Sequence, residues 1–196
     1  MSKQPEDWRL HNEPETREAI MMKRWRIGVL VGTALLLLTV GAQRPAQAEK
    51  GAKSLKADLV GFEEPPAVSS TGSGTFRAKI AHDDSFFEYE LTYENLEGVF
   101  TQSHIHLGQK GVNGGISIWL CGSLALPGPP GTPLCLGPNS GSASGIVTAA
   151  QVIGPSGQGV AALEFEEILH AMRAGVTYAN VHSTKHPGGE IRGQIK

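Results

Sequence analysis

Two histidines separated by one residue, His104 and His106, form the densest concentration of reactive side chains in the chain. Successive side chains of a β-strand point to opposite faces, so these imidazoles share one face while Ile105 and Leu107 share the other. Alternate positions on a strand lie ~6.5 Å apart, so both rings can reach one small ion. The spacing is compatible with a metal site, a polar structural pair or part of a binding surface.

His182 is the third candidate ligand. Residues 176–183 alternate in character, which predicts a strand carrying Tyr178, Asn180 and His182 on one face. If this face meets that of His104 and His106, three neutral imidazoles converge, a set that suits copper or zinc with one position open. Asn180, Glu190 or a backbone carbonyl could orient such ligands. The alternative is that all three histidines are hydrogen-bonded structural residues.

Glu190 and Arg192 lie two residues apart near the end of the chain. On a strand they would share a face, which predicts an ion pair that fixes the register of the last strand. We favour this over a catalytic carboxylate, because no nucleophile or second paired acid accompanies Glu190. An acidic pair, Glu63 and Glu64, precedes two prolines; its carboxylates could bind a cation, and we favour a solvated turn.

The N-terminal segment has the features of a targeting sequence. A basic cluster at residues 23–26 precedes an apolar run at residues 27–40, and the small-x-small pattern Ala-Gln-Ala follows at residues 46–48. The apolar run is shorter than the ~20 residues of a membrane span. These features predict a signal peptide over residues 1–48, with an uncleaved membrane anchor as the alternative. Either predicts a secreted or periplasmic location, and membrane contact follows only if the segment is uncleaved.

The remaining chain is predicted to be a linker at residues 49–54 and one domain at residues 55–196. The formal net charge of −2 gives no basic surface for nucleic acid. Cys121 and Cys135 are the two cysteines. Export and an even cysteine count favour a disulfide over a metal–thiolate pair, and closing that loop stabilises the fold by about 3 kcal/mol in the chain-entropy model.

Alternating apolar residues predict an all-β domain. The clearest pattern places Phe87, Tyr89, Leu91 and Tyr93 on one face. Seven strands are predicted, at residues 55–59, 76–80, 87–93, 103–107, 116–120, 176–183 and 190–195, with residues 139–145 as a loop and one short helix at residues 163–174. Short strands separated by turns are typical of an antiparallel β-sandwich.

Several stretches resemble the CHRD domain, a module first named in chordin and also found in exported bacterial proteins. They are ADLVGFEEPPAV at residues 57–68, HIHLGQKGVNG at 104–114, RAG at 173–175, YANVHS at 178–183 and PGGEIRGQI at 187–195. The resemblance implies an immunoglobulin-like β-sandwich similar to that of Cu/Zn superoxide dismutase. It implies no general biochemical activity. In chordin these domains belong to a protein that binds growth factors. For this exported chain the expected partner is an extracytoplasmic protein or surface of unknown identity.

A superoxide-dismutase-like metalloenzyme is the catalytic alternative. The copper site of that enzyme needs a fourth histidine that bridges to zinc. Here the remaining histidines of the domain, His82, His170 and His186, fall in a turn, on the predicted helix and in the last loop. The sequence therefore favours an exported binding or interaction module without catalysis, with a three-histidine copper or zinc site as its candidate chemistry.

Overall fold

The computed structural model describes Gly51 and residues 53–196. The predicted signal peptide or anchor lies outside the described residues. No helix in the described part of the chain is both long and apolar enough to cross a membrane.

The described chain forms one antiparallel sheet, one α-helix and three single-turn 3-10 helices, at Gly61–Glu63, Ala149–Gln151 and Ser156–Gln158. The strands are β1 Ser54–Val60, β2 Ser73–Ile80, β3 Phe87–Glu94, β4 Phe100–Leu107, β5 Gly115–Gly122, β6 Gly141–Val147, β7 Thr177–Ser183 and β8 Ile191–Gln194, and the helix is α1, Phe165–Arg173. Their order across the sheet is β5-β4-β7-β8-β1-β2-β3-β6. The prediction of an all-β antiparallel fold with one short helix is confirmed.

The sheet curls so that its two edges approach each other and enclose the core. The hydroxyl of Tyr89 on β3 donates to the carbonyl of Leu120 on β5, which joins strands from opposite ends of the sheet order. Phe76 and Tyr89 stack inside with ring centroids 6.3 Å apart. Alternate residues of β1 and β3 are buried, as their period of two requires. The sandwich is thus nearly closed into a barrel.

Helix α1 packs across the sheet through Phe165, Ile168, Leu169 and Met172, which are all buried. Phe165 stacks on Phe87 at 5.9 Å. In the last turn of the helix, Arg173 donates to both carboxylate oxygens of Asp84 in the β2–β3 turn, at 2.9 and 3.1 Å. The predicted helix is confirmed with shorter bounds, and Leu163 lies exposed before it.

Strand β6 corrects the prediction of a loop over residues 139–145. All of β6 pairs with β3, in register from Gly141 opposite Tyr93 to Val147 opposite Phe87. Its sequence, GSASGIV, hides the strand because only Ala143 and Val147 are buried. Gly141 is required there, since a Cβ would lie 2.6 Å from the Tyr93 hydroxyl.

Candidate metal centre

The three predicted histidines come together between β4 and β7, which are neighbours in the sheet. In this pairing Asn180 lies opposite His104 and His182 opposite Gln102. One ring nitrogen from each histidine lies within 4.8 Å of the other two. The cluster is buried, with exposures of 0% for His104 and 7% each for His106 and His182. Within the described residues, no other group of three histidine, cysteine or acidic side chains has this geometry.

Backbone carbonyls fix two of the rings. His106 Nδ1 lies 3.0 Å from the carbonyl oxygen of Gly114, and His182 Nδ1 lies 3.0 Å from that of Pro187. A carbonyl oxygen only accepts, so each Nδ1 carries the proton and each Nε2 presents a lone pair. Ligating histidines in metal sites typically have this partner on the other ring nitrogen.

Two ring nitrogens of the cluster lack partners. His104 Nε2 and His106 Nε2 are buried, and no described residue forms a hydrogen bond with either atom. A buried polar atom without a partner costs about 1–3 kcal/mol. Such groups in a native fold call for an explanation, and for His106 Nε2, whose ring donates from Nδ1, an unfilled ligand position is one.

The closest pair of ring nitrogens is His104 Nδ1 and His182 Nε2, 3.2 Å apart. That distance suits an N–H···N hydrogen bond. It also suits two ligands of one ion, because two bonds of ~2.0–2.1 Å at a tetrahedral angle leave their nitrogens roughly 3.3 Å apart. This pair therefore fits two ligands of one copper or zinc ion, and a ring nitrogen of His106 lies within 4.8 Å of both.

The electrostatics keep the cluster neutral. Burial lowers the pKa of His104 to about 2, and His182 and His106 nearby lower it further. Burial also lowers the pKa of His106 to about 4, against the hydrogen bond to Gly114. The pKa of His182 is lowered by burial as well. At pH 7 all three imidazoles are unprotonated, which is the form that binds metal.

Aromatic rings close the cluster on two sides. Trp119 on β5 meets His104 edge-on, with ring centroids 4.3 Å apart. Tyr178 stacks parallel to His106 at 4.7 Å. Alternation along residues 176–183 predicts Tyr178 on the histidine face, whereas nothing in the sequence places Trp119 against His104.

The structure corrects the predicted ion pair between Glu190 and Arg192, because the two side chains have different partners. Among the described residues, Glu190 accepts from the Ser70 hydroxyl at 2.7 Å and from the backbone N–H groups of Glu97 and Gly98 at 2.6 and 3.4 Å. Arg192 donates elsewhere, to the loop that follows β4. Glu190 precedes the first residue of β8, so strand alternation does not govern its side chain.

Glu64 is a buried group that the sequence does not reveal. It was expected in a solvated turn, but it is 8% exposed and accepts from the amide of Asn180. Burial raises the pKa of Glu64 to about 7, against the positive charge of Arg192 and the Asn180 hydrogen bond. Asn180 is therefore engaged with Glu64 rather than with a histidine ring. The burial of Glu64 is visible only in the folded structure, where the loop between β1 and β2 contacts β7.

The predicted disulfide is present between Cys121 and Cys135. Cys121 lies opposite Ser103, next to the first histidine on β4. The bridge therefore joins the loop after β5 to the strand pair that carries His104 and Trp119, and it is compatible with an oxidising compartment.

The other histidines of the domain stand apart from the cluster in their contacts. His186 Nε2 lies 3.8 Å from a carboxylate oxygen of Glu97. His170 is exposed on α1, and His82 lies in the turn after β2. Among the described residues, the cluster therefore consists of three histidines.

An antiparallel β-domain with a histidine cluster on adjacent strands defines the class, and comparison gives the family. The CHRD domain family matches residues 55–195, so the chain belongs to it. No curated protein and no solved structure matches the chain. Membership indicates a binding or interaction module.

Proposed function

We propose that this CHRD domain binds one copper or zinc ion through His104, His106 and His182, as an exported binding module. The observation that carries the proposal is the pair of fixed tautomers beside an unpartnered nitrogen. His106 and His182 each donate from Nδ1 to a carbonyl, and the buried Nε2 of His106 has no partner among the described residues. An ion at the centre of the cluster would give this nitrogen a partner.

Copper is the favoured ion of the two. Three neutral imidazoles with an open position accept either metal, but copper(II) binds nitrogen sites more tightly than zinc. Bound copper would supply one-electron chemistry, and bound zinc a Lewis acid. The protein's own part is to hold the rings in one tautomer and, through the burial of His104 against Trp119, to exclude water from one side.

Calorimetric titration of the metal-free protein tests the proposal. We expect one equivalent of copper(II) or zinc to bind the wild type, and His104→Ala to abolish that binding. The matched control is His170→Ala on the exposed face of α1, which should bind like the wild type. Absence of a saturable one-equivalent phase in the wild type would rule the site out.

A partner-binding surface is the second candidate, favoured by a separate observation. Residues 111–163 contain no charged side chain. At the disulfide loop Leu124 and Leu136 are 83% and 81% exposed. Exposed apolar side chains on a loop held by a disulfide suit contact with another extracytoplasmic protein.

Substitutions distinguish the metal-binding function from the partner-binding surface. Changing Leu124 and Leu136 to Ser should reduce binding to a purified partner and leave metal uptake intact, while His104→Ala should do the reverse. A superoxide assay on copper-loaded protein tests the catalytic alternative, and we expect no dismutation above that of free copper at the same concentration.

A further inference from the structure

Arg192 is a buried cation whose hydrogen bonds all go to one loop. The residue is 1% exposed. Its guanidinium donates to the carbonyls of Gln109 and Val112, at 3.2 and 2.7 Å, and to Asn113 Oδ1 at 3.4 Å. Within the described chain none of these acceptors is a carboxylate. The planar fork therefore organises the loop between β4 and β5, a task for which arginine is better suited than lysine.

The same guanidinium also lies against an aromatic ring of the metal centre. Its Cζ is 3.3 Å from the ring centroid of Tyr178. Tyr178 in turn stacks on His106, with ring planes within 1°. Because β7 lies between β4 and β8 in the sheet, Tyr178 is held between His106 on one side and Arg192 on the other.

Both sets of contacts end at the same histidine. The loop held by Arg192 leads directly into Gly114, whose carbonyl accepts from His106 Nδ1 at 3.0 Å. The N–H of Gly114 donates to the Tyr178 hydroxyl at 3.1 Å, which joins the loop to the stacked ring. His106 is thus constrained through its ring face and through its Nδ1.

We propose that Arg192 is a positioning residue that holds His106 as the Nδ1–H tautomer, with Nε2 free to ligate. Its consequence for metal affinity rests on the proposed function, whereas its effect on the tautomer does not. A cation that only stabilised the fold would leave the tautomer of His106 unchanged wherever the fold survives.

Nitrogen-15 NMR of the histidine rings in metal-free protein tests this proposal, followed by zinc titration. The first variant is Arg192→Met. The second is Tyr178→Phe, a substitution that keeps the aromatic ring but removes the hydroxyl that accepts from the N–H of Gly114. The control is Arg77→Met, the same substitution at an exposed position of β2.

We expect His106 to be the Nδ1–H tautomer in the wild type and in Arg77→Met. In Arg192→Met and in Tyr178→Phe it should become a mixture of tautomers, and zinc should bind about 10–100-fold more weakly, the usual cost of losing an outer-shell partner. If Arg192→Met does not fold, Arg192→Lys, which keeps the charge but loses the planar fork, provides the test and should give the same mixture of tautomers.

Two results separate this proposal from the proposed function. A folded Arg192→Met variant with the wild-type tautomer at His106 would overturn the positioning role. The opposite result is also informative, namely that Arg192→Met loses the Nδ1–H tautomer at His106 while the wild-type protein binds neither zinc nor copper. That combination would support the positioning role and count only against the metal site.

Discussion

His106 and His182 each use one ring nitrogen for a backbone carbonyl, so the geometry of the histidine cluster depends on single residues in the loops that carry those carbonyls. Gly189 is one of them. It lies two residues after Pro187, whose carbonyl accepts from His182, and its φ is +136°. A Cβ at Gly189 would lie 2.5 Å from Glu64 Oε1 and 2.6 Å from Asn180 Nδ2. Small changes at this position should therefore reach His182.

Gly189→Ala tests this dependence. The left-handed backbone alone costs of order 1–3 kcal/mol for a residue with a side chain, and the close contacts add to it. Urea unfolding of the metal-free protein should show that loss. Gly188→Ala is the control, because a Cβ at Gly188 meets nothing within 4 Å. Equal midpoints for both variants would contradict the account.

At the scale of elements, one carboxylate connects the helix to the sheet. Asp84 accepts from Arg173 at the end of α1 and from Lys53 just before β1, at 2.9 Å each for the shortest contact. These two hydrogen bonds hold the pKa of Asp84 well below its usual range. A depressed carboxyl pKa stabilises the fold above pH ~4, and that contribution disappears as the pH falls further.

Asp84→Asn should loosen α1 without straining the turn, because asparagine tolerates the φ of +64° at this position. We expect a loss of about 1 kcal/mol at pH 7, since the pair is partly exposed, and faster hydrogen exchange in α1. Asp58→Asn on the exposed face of β1 is the control. Unchanged exchange in α1 would show that apolar packing alone holds the helix.

At the scale of the whole molecule, buried titratable groups set the pH dependence of stability. The histidines of the cluster have folded pKa values below the unfolded value of ~6.5, so the unfolded chain binds more protons as the pH falls. The contribution of these histidines to the free energy of unfolding is therefore complete above pH ~7 and decreases as the pH falls below it. Glu64 acts in the opposite direction, because its pKa is raised to about 7 and its contribution is lost as the pH rises through that value.

Replacing His104 by Leu in metal-free protein should therefore flatten the loss of stability between pH 6 and pH 4. Each such histidine contributes up to about 1.4 kcal/mol per pH unit in this range. The measurement is the free energy of unfolding in urea across that range, with His170→Leu as the control. A wild-type profile that is flat or rises toward low pH would contradict the assigned burial of the cluster.

The sequence alone predicts much of this molecule, and its failures have physical causes. The period of two places His104 and His106 on one face of their strand and His182 on the same face as Asn180, because local alternation suffices for that. The pairing of β4 with β7, which brings the two faces together, depends on the fold. Strand β6 escapes prediction because glycine and serine replace the usual apolar residues. Glu64 escapes because its burial depends on a loop packing against strands more than a hundred residues away.

The binding of one ion at the three histidines is tested most directly by Trp119, which is the only tryptophan of residues 49–196. Its ring lies 4.3 Å from that of His104. Copper(II) bound at the cluster should quench Trp119 fluorescence in proportion to occupancy and stop at one equivalent, and His104→Ala should show no such phase. Quenching that continues without saturation, or that is equal in wild type and variant, would contradict a copper site at this cluster.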